Sequence, residues 1–185
     1  MTVFTLYDES TAPTASAPLL KRSREAFGMI PNLHAVMAEA PGLLEGYQKL
    51  HELFTNTSFD ADEQTVVWQT INVEHGCAYC VPAHTAIAQH MGVSDGVNEA
   101  LRDGTPLPSA RLEALRTFTL SVVRNRGQVT EADVQAFLDA GFTPRQIQEV
   151  ILGLSQKVMS NYLNHVAQTP IDEPFRIFEW QVPAA

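Results

Sequence analysis

The chain has 185 residues, 45% hydrophobic and 18% charged, a globular composition long enough for one domain to bury a core without staples. Twelve Lys and Arg stand against 21 Asp and Glu, and the formal charge of −9 repels phosphate backbones, so nucleic acid is not an expected partner. The opening MTVFTLYDESTAPTASAP lacks a basic segment followed by an apolar one, and no apolar run approaches the ~18–20 residues of a membrane span. Neither export nor membrane association is expected, and a cytoplasmic location is.

A Pro/Ser/Thr-rich lead-in precedes LLKRSREAF, whose helical spacing mixes basic residues with glutamate as on a solvated face. PNLHAVMAEAP predicts a short helix with Asn32 as its N-cap. Pro41 suits the first turn of the next helix, where Leu43, Tyr47, Leu50 and Phe54 recur at helical spacing. Asp60 and Glu63 form a capping-box pattern that opens a helix through Val66, Val67, Thr70 and Ile71. Gly76 interrupts it, and a helical stretch then runs from Cys77 to His90, closed by Gly92. Ser94 caps a short helix. Ser109 starts a longer one, with Leu112, Leu115, Phe118 and Val122 on one face. Thr130 to Ala140 is another, ended by Gly141. Thr143, Pro144 and Gln146 open the last long helix, whose apolar face is expected to be Ile147, Val150, Ile151, Leu154, Val158, Tyr162 and Val166. Asn161, Asn164 and His165 give that helix a polar end, with a structural role, bonding the tail through Thr169 or Asp172, as the expectation. The tail TPIDEPFRIFEWQVPAA is Pro-broken and aromatic, and is expected to pack on a surface of its own chain or a partner's. No segment alternates with period two, so the fold class is all-α with about eight or nine helices. They form a single domain over residues 1–185, with an irregular lead-in over about 1–15 and a tail over about 168–185.

Both cysteines lie in EHGCAYCVPAHTAIA, residues 74–88. On a helix starting at Cys77, Cys80 and His84 stand at i and i+4, and Cys77 and His84 at i and i+7, so the three side chains share a face. Cys77, just after Gly76, would sit by unpaired N–H groups and the positive end of the dipole, both of which lower a thiol pKa. The two-residue gap brings the sulfurs within bonding range. His84 can accept a thiol proton or stabilise the thiolate. Glu74 can orient that histidine or join a proton relay if the bend at Gly76 folds it back. The dipole favours Cys77 as the attacking thiol and the i+4 histidine favours Cys80, which leaves the choice open. Two other interpretations compete. Both cysteines can be ordinary core residues beside a satisfied histidine, or His75, Cys77, Cys80 and His84 can hold zinc. Ligands on one short stretch of helix would struggle to surround a metal tetrahedrally, and no second pair exists. A redox pair with no metal and no cofactor is favoured. Tyr79 reads as packing, and Trp68 and Trp180 as core or interface aromatics.

CAYCVPAH, following a long apolar helix, resembles the Cys-x-x-Cys-x-x-x-His motif of AhpD-like alkylhydroperoxidases in the carboxymuconolactone decarboxylase superfamily. FGMIPNLHAVMAEAPGLLEGY and NYLNHVAQTPID resemble segments of its peroxidase-related members, so the resemblance spans most of the chain. It implies an AhpD-like helical bundle with Cys77 and Cys80 as the redox pair and His84 as the motif histidine. The relay glutamate of the family pattern would fall on Thr65. Glu63 and Glu74 are the nearby substitutes, and Glu74 is preferred. The implied activity is reduction of a hydroperoxide substrate through an intramolecular disulfide, which an external dithiol donor reduces, in a homo-oligomer. The decarboxylase branch generally lacks the cysteine pair, which makes lactone chemistry the weaker inheritance.

Overall fold

A computed structural model describes residues 3–181, and among these the regular structure is helical throughout, with no strand. The α-helices are α1 (Ala17–Phe27), α2 (Asn32–Met37), α3 (Pro41–Thr55), α4 (Ala61–Glu74), α5 (Cys80–His90), α6 (Asp95–Asp103), α7 (Ala110–Arg124), α8 (Glu131–Asp139) and α9 (Pro144–Ala167), followed by a 3₁₀ helix (Glu173–Phe178). The chain is irregular from residue 3 into the turn before α1, while the tail contains the 3₁₀ helix. Residues 1–2 of the expected lead-in and 182–185 of the expected tail lie outside the described residues.

α4 is the axis of the molecule. The Asp60–Glu63 capping box satisfies its first N–H groups, and every residue from Glu63 to Asn72 is buried. A helix buried all round packs neighbours on each face, and α5, α6, α7 and α9 surround this one. One core cluster joins Phe54, Val66, Val67 and Trp68 to Leu115, Phe118, Phe137 and Val150. A second joins Leu19, Leu20, Leu44 and Tyr47 to Tyr79, Ala83 and both cysteines.

The helix breaks fall where the sequence placed them, with two corrections. Asn32 is the first residue of α2 rather than its cap, and Pro31 takes the cap position. The Asn32 N–H is instead satisfied by Asp172 Oδ1 at 2.9 Å, because the tail folds back over this helix start. Helix α5 starts at Cys80, not Cys77. Gly76, at φ +65°, ends α4 in a Schellman motif: Gly76 N–H donates to Val73 O at 2.9 Å and Cys77 N–H to Asn72 O at 3.0 Å. Cys77 is thereby committed to closing α4 and cannot open α5.

The tail packs on its own chain. Arg102 donates to the carbonyls of Phe178 and Glu179, and Trp180 Nε1 donates to Arg102 O.

Helix α9 keeps Val150 in the core with Ile147 and Leu154 packed against it, but the rest of its expected apolar face is not buried. Its buried residues include Gln156, Lys157, Ser160, Asn161 and Asn164, whereas Ile151, Tyr162 and Val166 are 50%, 55% and 70% exposed. The polar stripe faces inward because its partners are there, as the site makes plain.

Candidate active site

Cys80 is the first residue of α5, so its side chain lies at the positive end of that helix. Its own N–H points at Cys77 Sγ at 3.2 Å. Both thiols are free and buried. From α9, Asn164 Nδ2 donates to Cys80 Sγ at 3.2 Å and reaches Cys77 Sγ at 4.0 Å. One turn earlier on α9, Asn161 Nδ2 donates to Asn72 Oδ1 at 3.0 Å, and Asn161 Oδ1 lies 2.8 Å from His75 Nδ1. A further turn back, Lys157 Nζ lies 2.6 Å from His84 Nε2 and is 1% exposed. Asn164, Asn161 and Lys157 thus form a stripe at helical spacing, aimed at the cysteine turn and the start of α5.

These surroundings split the two thiols. Burial pushes the Cys80 thiol up, but the Cys77 hydrogen bond, the Lys157 charge and the amides of Asn164 and Asn161 outweigh it and bring it down to about 6. Cys77 moves the other way, because its hydrogen bond to Cys80, burial and the neighbouring Cys80 charge all oppose ionisation. The dipole argument that favoured Cys77 fails because Cys80, not Cys77, begins the helix.

A cavity of ≈720 Å³ opens onto Cys80, and Cys77 is not in its wall. Its wall includes the rings of Phe27, Tyr47, Trp68 and Phe175, and Lys157 and four histidines are among its polar groups. Hydrogen bonding fixes the tautomer of His51. Trp68 Nε1 can only donate, and it does so to Gln156 Oε1 at 2.8 Å, which turns the Gln156 amide nitrogen toward His51 Nδ1 at 3.1 Å. His51 therefore accepts at Nδ1 and carries its proton on Nε2. Burial, reinforced by the Lys157 charge, holds His51 neutral down to about 4. Burial, with the nearby charge of Lys157, likewise lowers His84 well below its ordinary value.

The structure brings Cys77, Cys80 and His84 into one cluster, with His84 one turn past Cys80 and joined to Lys157. It does not bring Glu74 there. The Glu74 carboxylate accepts from Arg124 Nε and Nη2, each at 2.8 Å, tying α4 to α7, and that guanidinium lowers its pKa. Gly76 turns the chain after the carboxylate has been engaged. Glu63, the other substitute, is held by the Asp60 cap and by Arg111. Tyr79 packs as expected, its hydroxyl accepting from Leu33 N–H and donating to Asp172. Asp172 is thus engaged by Tyr79 and Asn32, not by the asparagines of α9. The four zinc candidates do not converge. His75 is bonded to Asn161 and His84 to Lys157, and among the described residues no group of three or more His, Cys, Asp and Glu is placed to hold a metal.

No protein-family model and no curated protein sequence matches the chain. Solved structures do. A peroxidase-related protein from Ralstonia eutropha JMP134, described as an alkylhydroperoxidase AhpD core, superposes with a TM-score of 0.83 at 19% identity, covering 94% of each chain. The chain has the AhpD-like fold. A peroxidase-related protein from Silicibacter sp. TM1040 superposes with a TM-score of 0.77 at 19% identity over 94% of each chain. The debrominase Bmp8, as a cysteine-to-alanine variant in complex with 2,3,4-tribromopyrrole, superposes with a TM-score of 0.78 at 14% identity over 96% of this chain and 95% of its own.

Lys157 is the site residue that the sequence did not mark, and Asn161 and Asn164, expected only to hold the tail, instead face the cysteine turn. A signal was present. Lys157, Asn161 and Asn164 recur at i, i+4 and i+7 on a helix that also offers an apolar stripe, and only one of the two stripes can face inward.

Proposed function

We propose that this protein is a thiol-dependent oxidoreductase that reduces hydroperoxides through Cys77 and Cys80. The observation that carries this is the asymmetry of the pair: Cys80 lines a cavity, accepts from Asn164 and has surroundings that lower its pKa, while Cys77 lies outside the cavity wall, in contact with Cys80 and with its pKa raised. Those are the properties of an attacking and a resolving thiol. The Cys80 thiolate attacks the terminal oxygen of the hydroperoxide, an S–O bond forms, the O–O bond breaks, and the alkoxide leaves as an alcohol after taking a proton. Sulfur gives up two electrons and the peroxide accepts them. The Cys77 sulfur then displaces hydroxide from the Cys80 sulfenic acid, with the Cys77 proton leaving in the water formed. An external dithiol reduces the resulting disulfide and is itself oxidised. His84 enters through its bond to Lys157, and Glu74 serves the α4–α7 contact. A homo-oligomer is part of the proposal, and the exposed Ile151, Tyr162 and Val166 on one face of α9 support a second copy as their cover. No helix among the described residues is long and apolar enough to cross a membrane.

The ring-lined cavity also favours a second activity. A dithiol can deliver two electrons to an aryl carbon–bromine bond, giving a carbon–hydrogen bond, bromide, a proton and the disulfide. Bmp8 shares the fold and binds a brominated pyrrole. One experiment addresses both. The protein with excess dithiothreitol is offered cumene hydroperoxide or a bromopyrrole, with loss of peroxide and release of bromide as readouts. Peroxide loss abolished by Cys80→Ser supports the first activity. Bromide release without peroxide loss replaces it with the second, and neither signal defeats both.

A further inference from the structure

Lys157 is buried among groups that would leave its charge unanswered unless Cys80 is a thiolate. Among the described residues no carboxylate pairs with it, and its bond to His84 Nε2, at 2.6 Å, is to a neutral acceptor. The titratable groups around it are His84 on α5, Cys77 and Cys80 at the turn into α5, and His51 on α3. Tyr47 of α3 borders the same cavity, and α4 contributes the uncharged Trp68 there. An isolated buried ammonium is strongly disfavoured, so the site is stable only if a counter-ion is present or the proton leaves.

The thiol-peroxidase mechanism has one step for which no donor has yet been named, the protonation of the departing alkoxide. His84 cannot supply it from Nε2, which accepts from Lys157, and the burial of His84 opposes a second proton on the ring. His51 is bonded to Gln156 at Nδ1 and is neutral as well. Lys157 shares the cavity wall with Cys80.

We propose that Lys157 is a catalytic acid of this site: its ammonium pairs with the resting Cys80 thiolate and delivers its proton to the alkoxide as the O–O bond breaks, while His84 is the positioning residue that holds it. This deepens the hydroperoxide-reductase proposal and rests on it. The step balances: lysine ammonium, cysteine thiolate and ROOH become lysine amine, cysteine sulfenic acid and ROH. Cys77 thiol and the sulfenic acid then give the disulfide and water with Lys157 still neutral. When the dithiol donor regenerates the Cys80 thiol, that thiol returns a proton to Lys157. The buried site thus carries either a matched pair of charges or none at every stage.

The test compares leaving groups. An alkyl hydroperoxide expels a strongly basic alkoxide that needs a proton, whereas a peroxy acid expels a carboxylate that does not. Lys157→Met is made in the full chain, with far-UV circular dichroism and cooperative unfolding as controls, and Lys157→Gln takes its place if it does not fold. Iodoacetamide profiles of Cys80 and single-turnover rates with cumene hydroperoxide and peracetic acid are recorded from pH 5 to 10. The wild-type profile centred near 6 should move up about two units, toward the ~8.5 of an ordinary thiol. At a pH where Cys80 of the variant is fully ionised, peracetic acid should react within a few-fold of wild type, and cumene hydroperoxide should remain about 10²-fold slower, the scale of losing a general acid. Equal slowing of both substrates, or of neither, would overturn the role of Lys157. Wild-type protein inert toward both would instead overturn the peroxidase proposal beneath it.

Discussion

Cys77 and Cys80 are both buried, three positions apart, and their surroundings pull their protons in opposite directions. Cys80 has a lysine, two asparagine amides and the Cys77 hydrogen bond to set against burial, and Cys77 has burial and the charge of Cys80. Iodoacetamide at pH 7 should therefore modify Cys80 well ahead of Cys77, and Cys80→Ser should leave a chain that labels slowly. Comparable labelling of the two in wild type, measured by peptide mass spectrometry, would contradict the split. His84→Ala removes the side-chain acceptor that Lys157 bonds among the described residues, and reduction of cumene hydroperoxide should fall about 10²-fold with the fold intact. An unchanged rate would take His84 out of the mechanism. Much of this residue-scale picture was legible in CAYCVPAH, because i and i+4 positions meet on any helix. The identity of the attacking thiol was not, because it turns on a single register choice at Gly76. Nor was the lysine, which comes from 73 positions away in sequence.

Among the elements, α9 is the one that makes the site, since Lys157, Asn161 and Asn164 all come from it. It approaches closely because residue 153 is glycine: a Cβ there would meet Phe54 at 2.6 Å and Val67 at 2.9 Å. Gly153→Ala should destabilise the protein by about 1–3 kcal/mol through overpacking, despite the better helix propensity of alanine, and a urea titration measures it. A neutral or stabilising result would show that α3 and α4 yield easily. The helix boundaries were readable where side-chain chemistry announces them, as at Asp60–Glu63, Thr130 and Thr143, all of which form reciprocal caps. The facing of α9 was not. Hydrophobic periodicity assumes that apolar residues point inward, and here the polar stripe is bonded to thiols, an imidazole and α4, which leaves apolar residues outside.

At the scale of the whole molecule, burial of neutral histidines gives stability a pH dependence. His34 is held neutral to about 3 and His51 to about 4, and His84 is also well below its ordinary value. Below the unfolded value of about 6.5 the unfolded chain binds protons that the folded chain refuses, so stability falls as the pH drops from about 6.5 toward 4. Each histidine should cost roughly 1 kcal/mol between pH 7.5 and 5.5. The Cys80 thiolate acts in the same direction: its lowered pKa contributes stability at high pH that is lost as the pH falls through about 6. Urea midpoints at the two pH values test this, and equal midpoints would contradict it. The outward stripe of α9 should be covered by a second copy, so light scattering should return a multiple of 20.4 kDa, and Tyr162→Glu should lower the assembly state. A monomer across a wide concentration range would leave the stripe unexplained. The central claim, that Cys77 and Cys80 work as one redox pair, is tested most directly by adding one equivalent of cumene hydroperoxide to the fully reduced protein and mapping its peptides without reduction. Loss of the peroxide with stoichiometric linkage of Cys77 to Cys80 within one chain is the predicted result, and two free thiols beside unconsumed peroxide would contradict it.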